Sequence, residues 1–141
     1  MKNSEVYQLF VYGSLRSGFR SPAYEYISRY FDLAGNAKAK GRLYDLGEYP
    51  AAKPTNENKF IIGELYSIRN EKEFAWAIGQ LDDYEGVHVG FDETQLYRRE
   101  IVEVYIDNRI TNAWIYWYHG DVNGKPVIES GDVLQYMDQK K

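Results

Sequence analysis

Cysteine is absent from the 141 residues. Disulfides, thiolate nucleophiles and cysteine-based zinc sites are thereby excluded, and a reducing cytoplasm is the simplest location for such a chain. Histidine is scarce: His88 and His119 stand alone, and no HExxH pair exists. That lacks the usual zinc-hydrolase signature, although a mixed His–carboxylate metal site stays open. Ser14 sits in no GxSxG elbow and has no evident histidine–acid partners, so serine nucleophile catalysis is not expected. No run approaches the roughly 18–20 apolar residues of a membrane span. The polar stretch Met1–Gln8 leads straight into a strand-like run and shows no signal-peptide pattern. Basic residues are scattered, Arg98-Arg99 is the one arginine pair, and the net charge is −4. Binding of nucleic acid by counterion release needs a concentrated basic surface, so no nucleic-acid partner is expected. There is no repeat, low-complexity tract or linker, and 44% of residues are hydrophobic. The expectation is one domain, residues 1–141, around one core.

What the chain has in abundance is tyrosine, 14 of them, with 3 tryptophans. Such residues suit pleated, half-buried strand surfaces. Val6–Tyr12 reads as a strand meeting a loop at Gly13. Ser21-Pro22 reads as an N-cap followed by the first helical position, opening a helix to about Arg29 or Tyr30. Lys38–Leu46 reads as a strand interrupted at Gly41, followed by a turn at Gly47–Pro50 and a polar loop over Lys53–Lys59. Phe60–Ile68 is a second long strand. Asn70 and Glu73 have the spacing of a capping box, and Phe74, Ala77, Ile78 and Leu81 then share one helical face, with Asp82–Gly86 ending the helix. Val87–Leu96 is a loop. Tyr97–Ile106 and Thr111–Tyr118 form a hairpin turning at Asp107-Asn108. Trp114–Tyr118 is apolar or aromatic on both faces, which requires a central strand covered on each side. A short helix over Val133–Met137 closes the pattern. The fold class is α+β: a small, mixed, mostly antiparallel β-barrel with flanking helices.

Two segments carry chemistry. Gly13-Ser14-Leu15-Arg16-Ser17-Gly18 has the glycine spacing of a phosphate loop, but Phe19 and Arg20 replace the lysine and the hydroxyl residue that would hold phosphate and magnesium. It is either an ordinary strand-to-helix turn or a cradle of backbone N–H groups for a small anion such as a carboxylate. Leu81-Asp82-Asp83-Tyr84-Glu85-Gly86 is either a solvated acidic helix end or a functional one. Three carboxylates at a helix C-terminus oppose the helix dipole, a conflict more often kept where function needs it. Carboxylate neighbours and burial would raise the pKa of a glutamate there and suit it to moving protons near neutral pH.

Together these segments resemble the γ-glutamylcyclotransferase-like family, especially its γ-glutamylamine cyclotransferase branch. The likeness rests on Val11-Tyr12-Gly13-Ser14-Leu15, on Gly41–Pro50, on Gly63-Glu64-Leu65-Tyr66, on Leu81–Val87, and on Tyr97-Arg98-Arg99 followed by Val102, Val104 and Ala113–Tyr118, all in order. Val87–Leu96 departs from the compact family pattern. The resemblance implies a six-stranded-type barrel whose cavity is lined by Tyr12–Leu15 and Glu85. It implies cyclisation of a small-molecule γ-glutamyl substrate to 5-oxoproline, with release of an amine or amino acid and no cofactor or metal. It further implies Glu85 as the acid/base, Tyr12, Gly13, Ser14 and Leu15 around the substrate, and Tyr97 as a hydrogen-bonding neighbour of Glu85. A non-catalytic carboxylate-binding module on the same barrel is the alternative, and a nucleic-acid-binding barrel stands third. The leaving group and the oligomeric state stay open.

Overall fold

The computed structural model describes residues 6–12, 22–46, 50–85, 97–133 and 135–136, with the side chains of 22–24 and 83–85 outside that description. In chain order the elements are β1 (Gln8–Val11), α1 (Pro22–Tyr30), β2 (Phe31–Lys40), β3 (Arg42–Asp45), β4 (Pro50–Lys53), β5 (Phe60–Ile68), α2 (Phe74–Glu85), β6 (Tyr97–Ile106), β7 (Arg109–Tyr118) and β8 (Val127–Ile128). Helix α1 runs directly into β2, and of the expected Asn70–Glu73 capping box the Asn70 cap is seen, with the Lys72 N–H and not that of Glu73 as the partner of its side chain. The Asn70 side chain accepts the Lys72 N–H at 3.0 Å, and a 3-10 turn over Glu71–Glu73 feeds the helix.

Five strands close into a barrel in the order β1-β5-β2-β6-β7. β7 returns to β1 in parallel, Leu9 opposite Trp114, while the other described pairings in the ring are antiparallel. The expected mixed barrel with outer helices is therefore the observed one. The described ring has five strands where the resemblance implied six. The reason lies at Gly41, where the chain leaves the ring: β3 pairs with β4 and β8 in a separate three-stranded sheet. A Cβ at Gly41 would sit 2.6 Å from Ile61 Cδ1 and 3.1 Å from both the Lys53 carbonyl oxygen and Trp117 Cζ3, so the backbone turns here close to the barrel wall and a larger residue would push Ile61 aside.

Three elements differ from the sequence reading. β2 begins at Phe31, seven residues before the expected start at Lys38. Its first half alternates poorly, with Asp32, Leu33 and Ala34 all exposed and a register shift between Leu33 and Gly35, which hides the period of two. β4 occupies Pro50–Lys53, where a turn and loop were expected, and β8 is only two residues long. The closing helix is visible at Val133, Gln135 and Tyr136, while Leu134 and Met137 lie outside the described residues.

The strand wall separates two cores. Phe10, Tyr12, Ile61, Leu65, Val104, Ile115 and Trp117 belong to the inner one. Leu9, Val11, Tyr66, Tyr97 and Tyr116 belong to the outer one, where Ile27 of α1 and Phe74, Ala77, Ile78 and Leu81 of α2 cover them. β7 contributes Ala113, Ile115 and Trp117 inward and Trp114, Tyr116 and Tyr118 outward, so it is covered on both faces as its composition requires. Each large side chain fully buried this way contributes about 1.5–3 kcal/mol.

Candidate functional site

The outer wall is tyrosine-rich, and α2 lies along it in a direction its contacts define. Phe74, at the helix start, meets Tyr7 edge-on with ring centroids 5.4 Å apart. Asp82, two turns later, reaches Arg99 of β6 and Tyr116 of β7. α2 thus runs the same way as β1 and β7, and its last residue, Glu85, stands about 4.5 Å further along the axis than Asp82. That end points toward the level of Tyr118 and its register partner Tyr97.

Asp82 is 1% exposed, and its carboxylate is met by three donor atoms. Arg99 Nε donates to Oδ1 at 2.8 Å and an Arg99 terminal nitrogen to Oδ2 at 2.9 Å, a two-pronged pairing that fixes the carboxylate plane. The Tyr116 hydroxyl donates to Oδ1 at 2.8 Å. The Arg99 guanidinium lies 4.3 Å from the Trp114 ring centre, which gives it an aromatic floor. Of the three acidic residues at the helix end, Asp82 is therefore a neutralised, buried anchor and not a charge left against the dipole. Sequence reasoning missed this role because strand register decides which basic residue faces it. The arginine pair Arg98-Arg99 was the available signal.

Tyr12 is nearly buried at the end of β1, and its hydroxyl donates a short hydrogen bond to the Tyr116 backbone carbonyl. Tyr116 thus receives Tyr12 at its carbonyl and bonds Asp82 through its hydroxyl. Tyr97 is buried beside Tyr118, with rings 5.6 Å apart and edge-on, and donates its hydroxyl to the Pro50 carbonyl at 2.9 Å, fastening β4 to the barrel. Gly13, Ser14 and Leu15 lie outside the described residues, as does the Glu85 side chain; the Glu85 backbone ends α2. The structure joins Tyr12 to the turn of α2 that precedes Glu85, and ties Tyr97 to Pro50.

A second carboxylate also went unread. Glu64 is 5% exposed on the same wall, level with Val11, and accepts the Tyr66 hydroxyl at 3.0 Å. Its signal was a lone acid within the apolar strand Phe60–Ile68. Beside it, Gly63 admits no side chain: a Cβ there would lie 2.2 Å from the Val11 carbonyl oxygen, so β1 and β5 approach closely just before Tyr12. Among the described residues no group of three His, Asp or Glu side chains converges to hold a metal ion, and no described helix is long and apolar enough to cross a membrane.

A small mixed barrel, helices over one side and a buried carboxylate anchored to β6 and β7 describe the class, and comparison with known proteins gives the family. Residues 9–135 match the family described as gamma-glutamyl cyclotransferase, AIG2-like, and the chain belongs to that family. The gamma-glutamylcyclotransferase family protein YtfP of Escherichia coli is 30% identical over 128 residues, covering 90% of this chain and 96% of YtfP. The solution structure of YtfP superposes with a TM-score of 0.61, covering 95% of this chain and 99% of that one. YkqA of Bacillus subtilis gives a TM-score of 0.68 at 26% identity; 95% of this chain matches, spanning 42% of the YkqA chain. The AIG2-like protein of Mus musculus shares the fold at 20% identity, with a TM-score of 0.65 over 89% of this chain and 87% of its own.

Proposed function

We propose that the protein is a γ-glutamyl cyclotransferase that converts a γ-glutamyl amine or γ-glutamyl amino acid to 5-oxoproline and a free amine, with Glu85 as general acid/base. The observation that carries this reading is the tie between the two segments the chemistry needs. The turn of α2 preceding Glu85 is bonded through Asp82 to Tyr116, and the Tyr116 carbonyl holds Tyr12, the residue before Gly13-Ser14-Leu15. Family membership across both segments supports the reaction class.

The reaction is an internal aminolysis. The substrate's α-amine nitrogen attacks its own γ-carbonyl carbon and closes a five-membered ring. The bond from that carbon to the departing nitrogen then breaks. Glu85 takes a proton from the α-ammonium before attack and delivers it to the departing nitrogen; the second proton that the ring nitrogen loses on closure also passes to that nitrogen, which leaves as an ammonium, so protons balance without another reactant. The N–H groups of Gly13, Ser14 and Leu15 hold the substrate carboxylate or steady the carbonyl oxygen as charge develops on it. Tyr12 and Tyr97 shape the walls. The chief task is to fold the substrate onto itself, and good positioning of an intramolecular attack removes roughly 7–11 kcal/mol of barrier. The chain supplies this chemistry from side chains and backbone alone, in keeping with a cytoplasmic, cofactor-independent enzyme.

The test is 5-oxoproline release from a panel of γ-glutamyl amino acids and γ-glutamyl amines, with Glu85→Gln alongside. Release by the wild type and a loss of roughly a hundredfold or more in Glu85→Gln is expected. Equal turnover in both removes Glu85 from the mechanism. Tight binding of a γ-glutamyl compound with no release makes the protein a binding module.

A further inference from the structure

The buried Asp82 anchor uses more directed bonds than holding a surface helix in place requires. Helix α2 is already seated by Phe74, Ala77, Ile78 and Leu81. Apolar contacts of that kind resist lifting but define poorly where a helix end stops along its axis, because they are non-directional. The Arg99–Asp82 pairing and the Tyr116 hydroxyl supply direction at one point, the penultimate turn. The other end of the same network is Tyr12, whose hydroxyl meets the Tyr116 carbonyl. One residue of β7 therefore sets both the last turn of α2 and the exit of β1.

We propose that Asp82, held by Arg99 and Tyr116, is a positioning residue that fixes the last turn of α2, and with it the Glu85 backbone, relative to Tyr12 at the exit of β1. The proposal rests on Glu85 being the acid/base. In a site whose task is to align an attack, misplacement of about 1 Å costs roughly a hundredfold in rate, so a rigid tie between the two halves acts on turnover more than on substrate affinity.

Two arms separate this proposal from the functional reading beneath it. In the kinetic arm, Tyr116→Phe removes one hydroxyl and leaves the carbonyl that receives Tyr12. It is expected to lower kcat roughly tenfold or more while KM stays within about twofold. Asp82→Ala, which removes the acceptor of that hydroxyl together with the Arg99 pairing, lowers kcat further, and the double variant is no slower than Asp82→Ala alone, because both changes cut the same bond. Trp76→Ala, on the same helix but 61% exposed, leaves both constants unchanged. The second arm needs no substrate: amide NMR spectra of wild type and Tyr116→Phe. Resonances of Glu85 are expected to shift together with that of Tyr12. Wild-type kcat in Tyr116→Phe, or shifts confined to the neighbours of Tyr116, overturns the positioning role. If the wild type itself releases no 5-oxoproline, the acid/base reading of Glu85 falls, and the NMR arm alone decides whether Asp82 ties the two segments.

Discussion

Inside the barrel, Ile61, Leu65, Val104, Ile115 and Trp117 meet through hydrocarbon and ring surface. On the outside of the same strands, beneath the helices, Tyr66, Tyr97 and Tyr116 bring hydroxyl groups into an equally buried layer, and Glu64 and Asp82 are bonded to two of them. The inner layer is held by shape and the exclusion of water, the outer by directed bonds set among apolar contacts. A wall that is one residue thick can serve both ends because side chains alternate along each strand. The inner layer closes the ring; the outer one can hold buried carboxyl groups, since the strands bring Arg99 to Asp82 and a tyrosine hydroxyl to each of Asp82 and Glu64.

That contrast can be broken from either side. Ile115→Ala would leave a void in the inner layer, and a loss of about 4 kcal/mol in unfolding free energy is expected from urea titration. A loss below about 1 kcal/mol would mean that the barrel collapses to fill gaps. Arg99→Leu attacks the outer layer by stranding the Asp82 carboxylate, with an expected cost of about 3 kcal/mol. The pair is distinguished by Asp82→Asn/Arg99→Leu, which removes the stranded charge and should recover part of that loss, whereas no polar substitution rescues Ile115→Ala. Tyr66→Phe takes one donor from buried Glu64 and should lower the thermal midpoint by an amount equivalent to about 1 kcal/mol.

The smallest effect is alkaline. Burial, and then the neighbouring Tyr30, hold the Tyr26 hydroxyl above the ordinary tyrosine range. A pKa raised by folding contributes stability below the unfolded value and loses it as pH rises through that range. Unfolding free energy should therefore fall above about pH 10, and Tyr26→Phe should flatten that slope.

Strand limits at Phe60–Ile68 and Tyr97–Ile106 were legible because alternation and glycine or polar borders coincide there. The burial of Trp114–Tyr118 on both faces was legible because no residue in it could tolerate water on one side. The outset of β2 was not, since a bulge at Leu33–Gly35 breaks the period just where a reader counts it. Nor was β4, whose Pro50-Ala51-Ala52-Lys53 has no strand composition and becomes a strand by pairing with Arg42–Asp45. At the candidate site, the segments Tyr12–Leu15 and Leu81–Gly86 could be singled out locally. The Asp82–Arg99 pairing could not, because it depends on how α2 seats over a hairpin that follows it in the chain, and such non-local registers leave no mark on either segment alone.

The hydrogen bond from Tyr12 to Tyr116 joins residues 104 positions apart. On the ribosome the first strand would emerge long before either of its neighbours. β1 meets β5 only after residue 60 and β7 only as residues near 114 appear, so the ring stays open until most of the chain is out. Until then Leu9 and Val11 face no partner strand on one side, and Tyr12 has no carbonyl to meet. Assembly of the candidate site is thus a late event in synthesis, and a chain cut before Trp114 lacks the pairing with Leu9 that closes the barrel.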